Sequence, residues 1–80
     1  MKYSTRKERR FEKVYEMCAD EVYRVCLYFM RDEKEAQRIA EQAFVEFYDE
    51  FEDIDPKYWK AYLVCKARDL AKFDVTKRLR

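Results

Sequence analysis

Residues 32–51 read DEKEAQRIAEQAFVEFYDEF, and the spacing within them decides the fold. Ala36, Ile39, Ala40, Ala43, Phe44, Phe47, Tyr48 and Phe51 recur three and four residues apart, which places them on one stripe of a 3.6-period helix. Asp32 is placed to cap this helix, and Glu35, three residues later, completes a capping box for amide donors that the first turn leaves unpaired. The other side carries Glu41, Glu46, Asp49 and Glu50. One face must therefore bury. The acidic face meets either water or a partner.

The flanking segments repeat the pattern. Upstream, Phe11, Val14, Tyr15, Cys18, Val22, Val25, Cys26 and Phe29 form a second helical stripe that ends near Met30 and Arg31. With Asp32 opening the next helix, the connection is very short and favours antiparallel neighbours. Tyr23 and Tyr28 fall off the stripe, to pack a further helix or lie at the surface. Residues 1–10 hold little apolar content and read as a basic N-terminal arm, helical or frayed, ahead of a domain over residues 11–80. Downstream, Asp55 and Pro56 give a strong helix-start signal. The third helix is expected to turn Trp59, Tyr62, Leu63, Ala67, Leu70 and Phe73 inward. The expected fold class is all-α, a small three-helix antiparallel bundle.

Composition agrees with one small domain. Eighty residues bury a marginal core, and the 18% aromatic content supplies the large side chains such a core needs. The chain has no glycine and one proline, which leaves little for the left-handed turns of hairpins. No apolar run approaches the roughly 20 residues that span a bilayer, and no signal peptide follows Met1, so no membrane partner is expected. Cys18, Cys26 and Cys65 are odd in number and form no CxxC pair; each lies on or beside an apolar stripe and is read as a reduced core thiol in a reducing cytoplasm. With no histidine and Ser4 the only serine, the ordinary nucleophile-and-base pairings and zinc sites are missing. Neither enzymatic activity nor a metal or other cofactor is expected.

A net charge of +1 conceals strong segregation. Residues 1–10 are net +4, 11–30 net −2, 31–55 net −7 and 56–80 net +6. Such blocks either address different partners at different faces or neutralise one another between helices.

The order of residues is more specific than a bundle requires. Phe11-Glu12-Lys13-Val14-Tyr15 followed by Val22-Tyr23-Arg24-Val25 resembles the opening of region 2 in bacterial sigma factors of the extracytoplasmic-function group, within the sigma-70 family. Asp32 with Ala36, Ile39, Phe44 and Tyr48 is similar to the family's second segment, whose helix docks on the clamp helices of the RNA polymerase β′ subunit. The run Trp59-Lys60-Ala61-Tyr62-Leu63-Val64-Cys65-Lys66-Ala67-Arg68-Asp69-Leu70-Ala71 resembles the segment that reads the promoter. The likeness extends from about Phe11 to Arg80, in the family's order. Where the family's docking helix carries Asp-Leu-x-Gln-Glu, this chain has Arg38-Ile39-Ala40-Glu41-Gln42, and Asp69 stands where an asparagine is common. The sigma domain that reads the −35 element has no counterpart in these residues.

The resemblance implies a region 2 module of a transcription initiation factor, either a fragment or one half of a two-part sigma factor. Its implied partners are the polymerase core, −10 promoter DNA (preferably single-stranded), and a separate chain carrying the −35-reading domain or an anti-sigma factor. Arg38, Glu41, Gln42, Val45, Glu46 and Tyr48 would meet the polymerase. Trp59, Lys60, Lys66, Arg68, Asp69, Lys72, Lys77 and Arg78 would meet DNA. The chemistry suits that role, since cations neutralise phosphates and aromatic faces stack on unpaired bases. Tyr62 and Leu63 are read as core, while Trp59 suits either the core or a base. Ionised Asp69 repels phosphate and cannot donate to a base edge. Arg38 and Asp69 also fit an alternative: a protein-interaction module, decoy or regulator, that does not bind DNA.

Overall fold

The computed structural model describes residues 6–78, and among them the expected three-helix bundle is found, with no strand. Helix α1 spans Arg6–Met30, α2 spans Glu33–Tyr48 and α3 spans Trp59–Arg78. Two short 3-10 turns, Phe51–Asp53 and Pro56–Tyr58, join α2 to α3. Cross-helix pairs show the directions. Arg10 near the start of α1 meets Glu52 just past α2, while Glu35 at the start of α2 meets Arg78 at the end of α3. Helix α2 therefore runs antiparallel to both neighbours. Of the basic arm expected over residues 1–10, residues 6–10 form the first turns of α1, and the rest lies outside the described residues. No helix among the described residues is long and apolar enough to cross a membrane.

The helix ends follow local chemistry. Asp32 sits in extended conformation, and its carboxylate accepts the Glu35 amide at 3.0 Å. Only half of the expected capping box forms, because the Glu35 carboxylate turns to Arg38 and Arg78 instead. Asp55 likewise accepts the Lys57 amide at 3.0 Å, and Pro56 opens the turn that leads into α3.

Between α1 and α2 the chain reverses at Arg31, the one described non-glycine residue with positive φ, at 56°. Its amide closes the end of α1 on the Leu27 carbonyl at 2.8 Å, the left-handed cap that glycine ordinarily fills. With no glycine in the chain, an arginine takes the position against its own Cβ. Arg31→Gly should therefore raise stability by about 0.5–1 kcal/mol, the steric relief exceeding the added freedom of the unfolded chain. Urea unfolding measures it, as a higher midpoint at unchanged slope.

The core follows the α2 stripe closely. Ala36, Ile39, Ala40, Ala43, Phe44, Phe47 and Phe51 are buried, against Val14, Cys18, Val22, Cys26 and Met30 of α1 and Leu63, Ala67 and Ala71 of α3. Tyr23 packs partly buried against this core, whereas Tyr28 is exposed. Three expectations are corrected. Phe73, expected inward, is 69% exposed, and Ala71 takes the inward position. Small residues at Ala67 and Ala71 let α3 approach its neighbours closely, a fit that a phenylalanine would obstruct. Tyr15, placed on the α1 stripe, is half exposed, its ring resting on Phe44 at 4.7 Å. Cys65 is an exposed thiol on the outer side of α3, not a core one. Cys18 and Cys26 are buried as expected, and burial raises both thiols, that of Cys26 to about 11.

Candidate protein-docking and nucleic-acid interface

The residues expected to meet a protein partner divide among three sides of α2. Val45 points outward at 67% exposure, with Glu41 and Gln42 also exposed. Glu41, Val45 and Tyr48 line a groove of about 550 Å³ between α1 and α2, floored by Phe11, Tyr15 and Phe44. Tyr48 is held there edge-on to Phe11 at 5.0 Å, with the Lys7 ammonium 4.3 Å above its ring. The α1 contribution is not legible in the sequence, because the helical period places Phe11 and Tyr15 on the apolar stripe without showing that both also border a groove shared with α2.

The other two residues face α3. Arg38 donates to Glu35 at 2.7 and 3.0 Å and to Asp74 at 3.2 Å. Arg78 donates to Glu35 and lies 3.1 Å from Asp74, so two arginines and two carboxylates close a ring that fastens the end of α3 to the start of α2. Glu46 accepts from Gln42 at 3.1 Å and from the Lys66 ammonium at 3.3 Å; Glu50 lies 3.3 Å from the same ammonium. Glu46 and Glu50, expected on the face away from the bundle, thus stand on the α3 flank.

The residues expected to meet DNA are placed unevenly. The Trp59 indole N–H donates to the carbonyls of Phe51 and Ile54 at 2.8 and 2.9 Å, and its half-buried ring packs on Phe51 at 5.5 Å. It acts as a peg for the α2–α3 connection. The aromatic faces open to solvent on this side belong to Tyr58, Tyr62 and Phe73. Tyr62 is only partly core: its hydroxyl donates to Glu50 at 3.0 Å, and its ring lies 5.9 Å from Phe47. Lys60 pairs with Glu21 of α1 at 2.9 Å. Arg68 lies 3.7 Å from Asp69 beside it, and both are exposed, as are Lys72 and Lys77. Lys66, Asp69, Tyr62 and Phe73 share a second groove, of about 350 Å³, against Glu46.

No protein-family model, curated protein or solved structure matches the chain. The likeness to sigma region 2 rests on the residues quoted above.

Titration behaviour follows the pairing. Burial works against the Lys66 charge, but Glu50 and Glu46 outweigh it and hold the ammonium above its ordinary value. Glu46 is lowered, first by the Gln42 hydrogen bond and then by Lys66; Glu35 is lowered chiefly by Arg38. Both carboxylates bind their protons more weakly folded than unfolded. They therefore add stability above the ordinary glutamate range and lose it as the pH falls through their lowered values. The thermal midpoint should drop between about pH 5 and pH 3, and less steeply in Glu35→Gln/Glu46→Gln than in the parent. An equal slope in both would assign the acid sensitivity to other carboxylates.

Proposed function

We propose that this chain is a transcription-initiation module of the sigma region 2 kind. It docks on the polymerase β′ clamp helices through α2, meets −10 promoter DNA through α3, and works in the cytoplasm. The observation that supports this reading is positional. Each of the three segments that resemble the family forms one helix of the bundle, and α2 leaves Glu41, Gln42 and Val45 on a free face beside an apolar groove. An exposed helix edge of mixed polarity next to exposed aromatic and aliphatic carbon suits a protein interface better than a small-molecule site.

A second reading has its own observation. Lys60, Lys66 and Arg78 are paired with carboxylates of the other two helices, and the Trp59 indole is committed to the fold. This favours the interaction module that does not bind DNA. Retention on immobilised polymerase core at moderate salt tests the docking that both readings share. Glu41→Lys/Val45→Lys should weaken retention at least about tenfold, as expected for central interface positions, with circular dichroism unchanged. Undiminished retention would remove α2 as the docking face. Binding of a single-stranded −10-like oligonucleotide then separates the two readings.

A further inference from the structure

Of the positive residues on α3, the two that face α2 are occupied by carboxylates of α2 and of the turn that follows it. The Lys66 ammonium lies 3.3 Å from both Glu46 and Glu50, and its side chain is only 18% exposed. An ammonium has three donors, and these two oxygens stand near the distance at which phosphate oxygens would accept from it. At the other end of α3, Arg78 is held by Glu35 and Asp74. Asp74 is a local partner, four residues before Arg78 on α3 itself, but Glu46 lies 20 residues before Lys66 and Glu35 lies 43 before Arg78. The Glu46 and Glu35 pairs are tertiary contacts, which side chains can exchange while the helices stay in place.

We infer that the acidic flank of α2 stands in for nucleic-acid phosphate, masking Lys66 and Arg78 until a ligand on α2 draws its carboxylates away. The inference rests on the reading that α3 meets nucleic acid, and it names how that site is regulated. Glu46 belongs both to the expected docking residues and to the mask. A cationic partner surface that engages Glu46 frees Lys66, so docking on α2 and phosphate binding on α3 reinforce each other, and by linkage the reinforcement is mutual. The raised Lys66 and lowered Glu46 titrations agree with a pair that holds its charge. Partly exposed pairs are weak, so the mask is one that a partner can lift. Glu35 and Asp74 also hold Arg38, which accounts for a basic residue within a docking helix: it completes the ring that restrains Arg78.

The test measures the affinity of the whole domain for a labelled single-stranded AT-rich oligonucleotide at low salt. Glu46→Gln/Glu50→Gln should bind about three- to tenfold more tightly than the parent, with a salt slope steeper by about 0.7 for each cation released. Glu16→Gln/Asp20→Asn, which removes equal charge from the exposed side of α1, serves as the control and should gain less. Adding Lys66→Gln to the Glu46→Gln/Glu50→Gln variant should abolish most of the gain, while Lys66→Gln in the parent changes little. Should the double variant lose its helical signal, Glu50→Gln alone is read for a smaller gain of the same sign. A gain equal to the control, or one that survives Lys66→Gln, overturns the mask but leaves nucleic-acid binding intact. Absence of oligonucleotide binding in every variant overturns the mask and the nucleic-acid role of α3 together, and leaves polymerase docking to be judged by retention on core.

Discussion

Replacing Phe47 with alanine should abolish cooperative folding. Its side chain is fully buried, its ring meets Phe51 at 5.8 Å and Tyr62 at 5.9 Å, and it sits where α2 faces α3. Truncating a buried phenylalanine costs about 3–5 kcal/mol, against a total stability of about 5–15 kcal/mol for ordinary domains and less for small ones. Thermal unfolding followed by circular dichroism should show a broad, non-cooperative loss of signal at or below room temperature. Phe73→Ala is the matching control. Phe73 is largely exposed, so its removal should move stability by no more than about 0.5 kcal/mol. A variant at Phe47 that melts like the parent would mean that the core does not pass through this ring.

Trp59→Phe should have the next largest effect. The substitution keeps most of the ring against Phe51 but removes the N–H shared by the carbonyls of Phe51 and Ile54. The Phe51 oxygen retains the Ile54 amide at 3.1 Å, so the deficit falls mainly on Ile54. A lost hydrogen bond that leaves a shielded acceptor costs about 1–3 kcal/mol. Urea unfolding gives the magnitude, and amide exchange gives the place: protection should fall at Asp53, Ile54 and Tyr58, whose amides close the two 3-10 turns. Unchanged exchange at those amides would show that the connection holds without its peg.

The two predictions mark what the sequence could and could not disclose. The α2 stripe was legible because every position in it except the partly buried Tyr48 is either a small residue at a close contact or a large one in the core, so period and burial agree. The Asp32 and Asp55 caps were legible because each depends on an amide two or three residues away. The inward side of α3 was not, since hydrophobicity ranks Phe73 above Ala71 while close helix packing selects the alanine. The ion pairs were hidden for a related reason. Glu46 in the last turn of α2 and Glu50 just past its end are four apart, but nothing local says that Lys66 will stand opposite. That depends on how α3 is rotated against α2, and the same rotation determines which cations remain for a partner. The charge blocks gave two outcomes, address or neutralisation, and the fold realises neutralisation at Lys60, Lys66 and Arg78 while leaving Lys72 and Lys77 at the surface.

The peg at Trp59 also makes the molecule its own reporter. The chain has one tryptophan and seven tyrosines, so emission excited at the red edge of absorption comes from a single indole of known surroundings. That indole is hydrogen-bonded to two carbonyls and packed edge-on against one phenyl ring, all in the corner between α2 and α3. Its spectrum therefore reads this corner, whereas the far-ultraviolet signal reads the helices. A red shift that precedes loss of the helical signal would mean that the corner opens as a separate unit. Coincident changes would mean that bundle and corner part together in one transition.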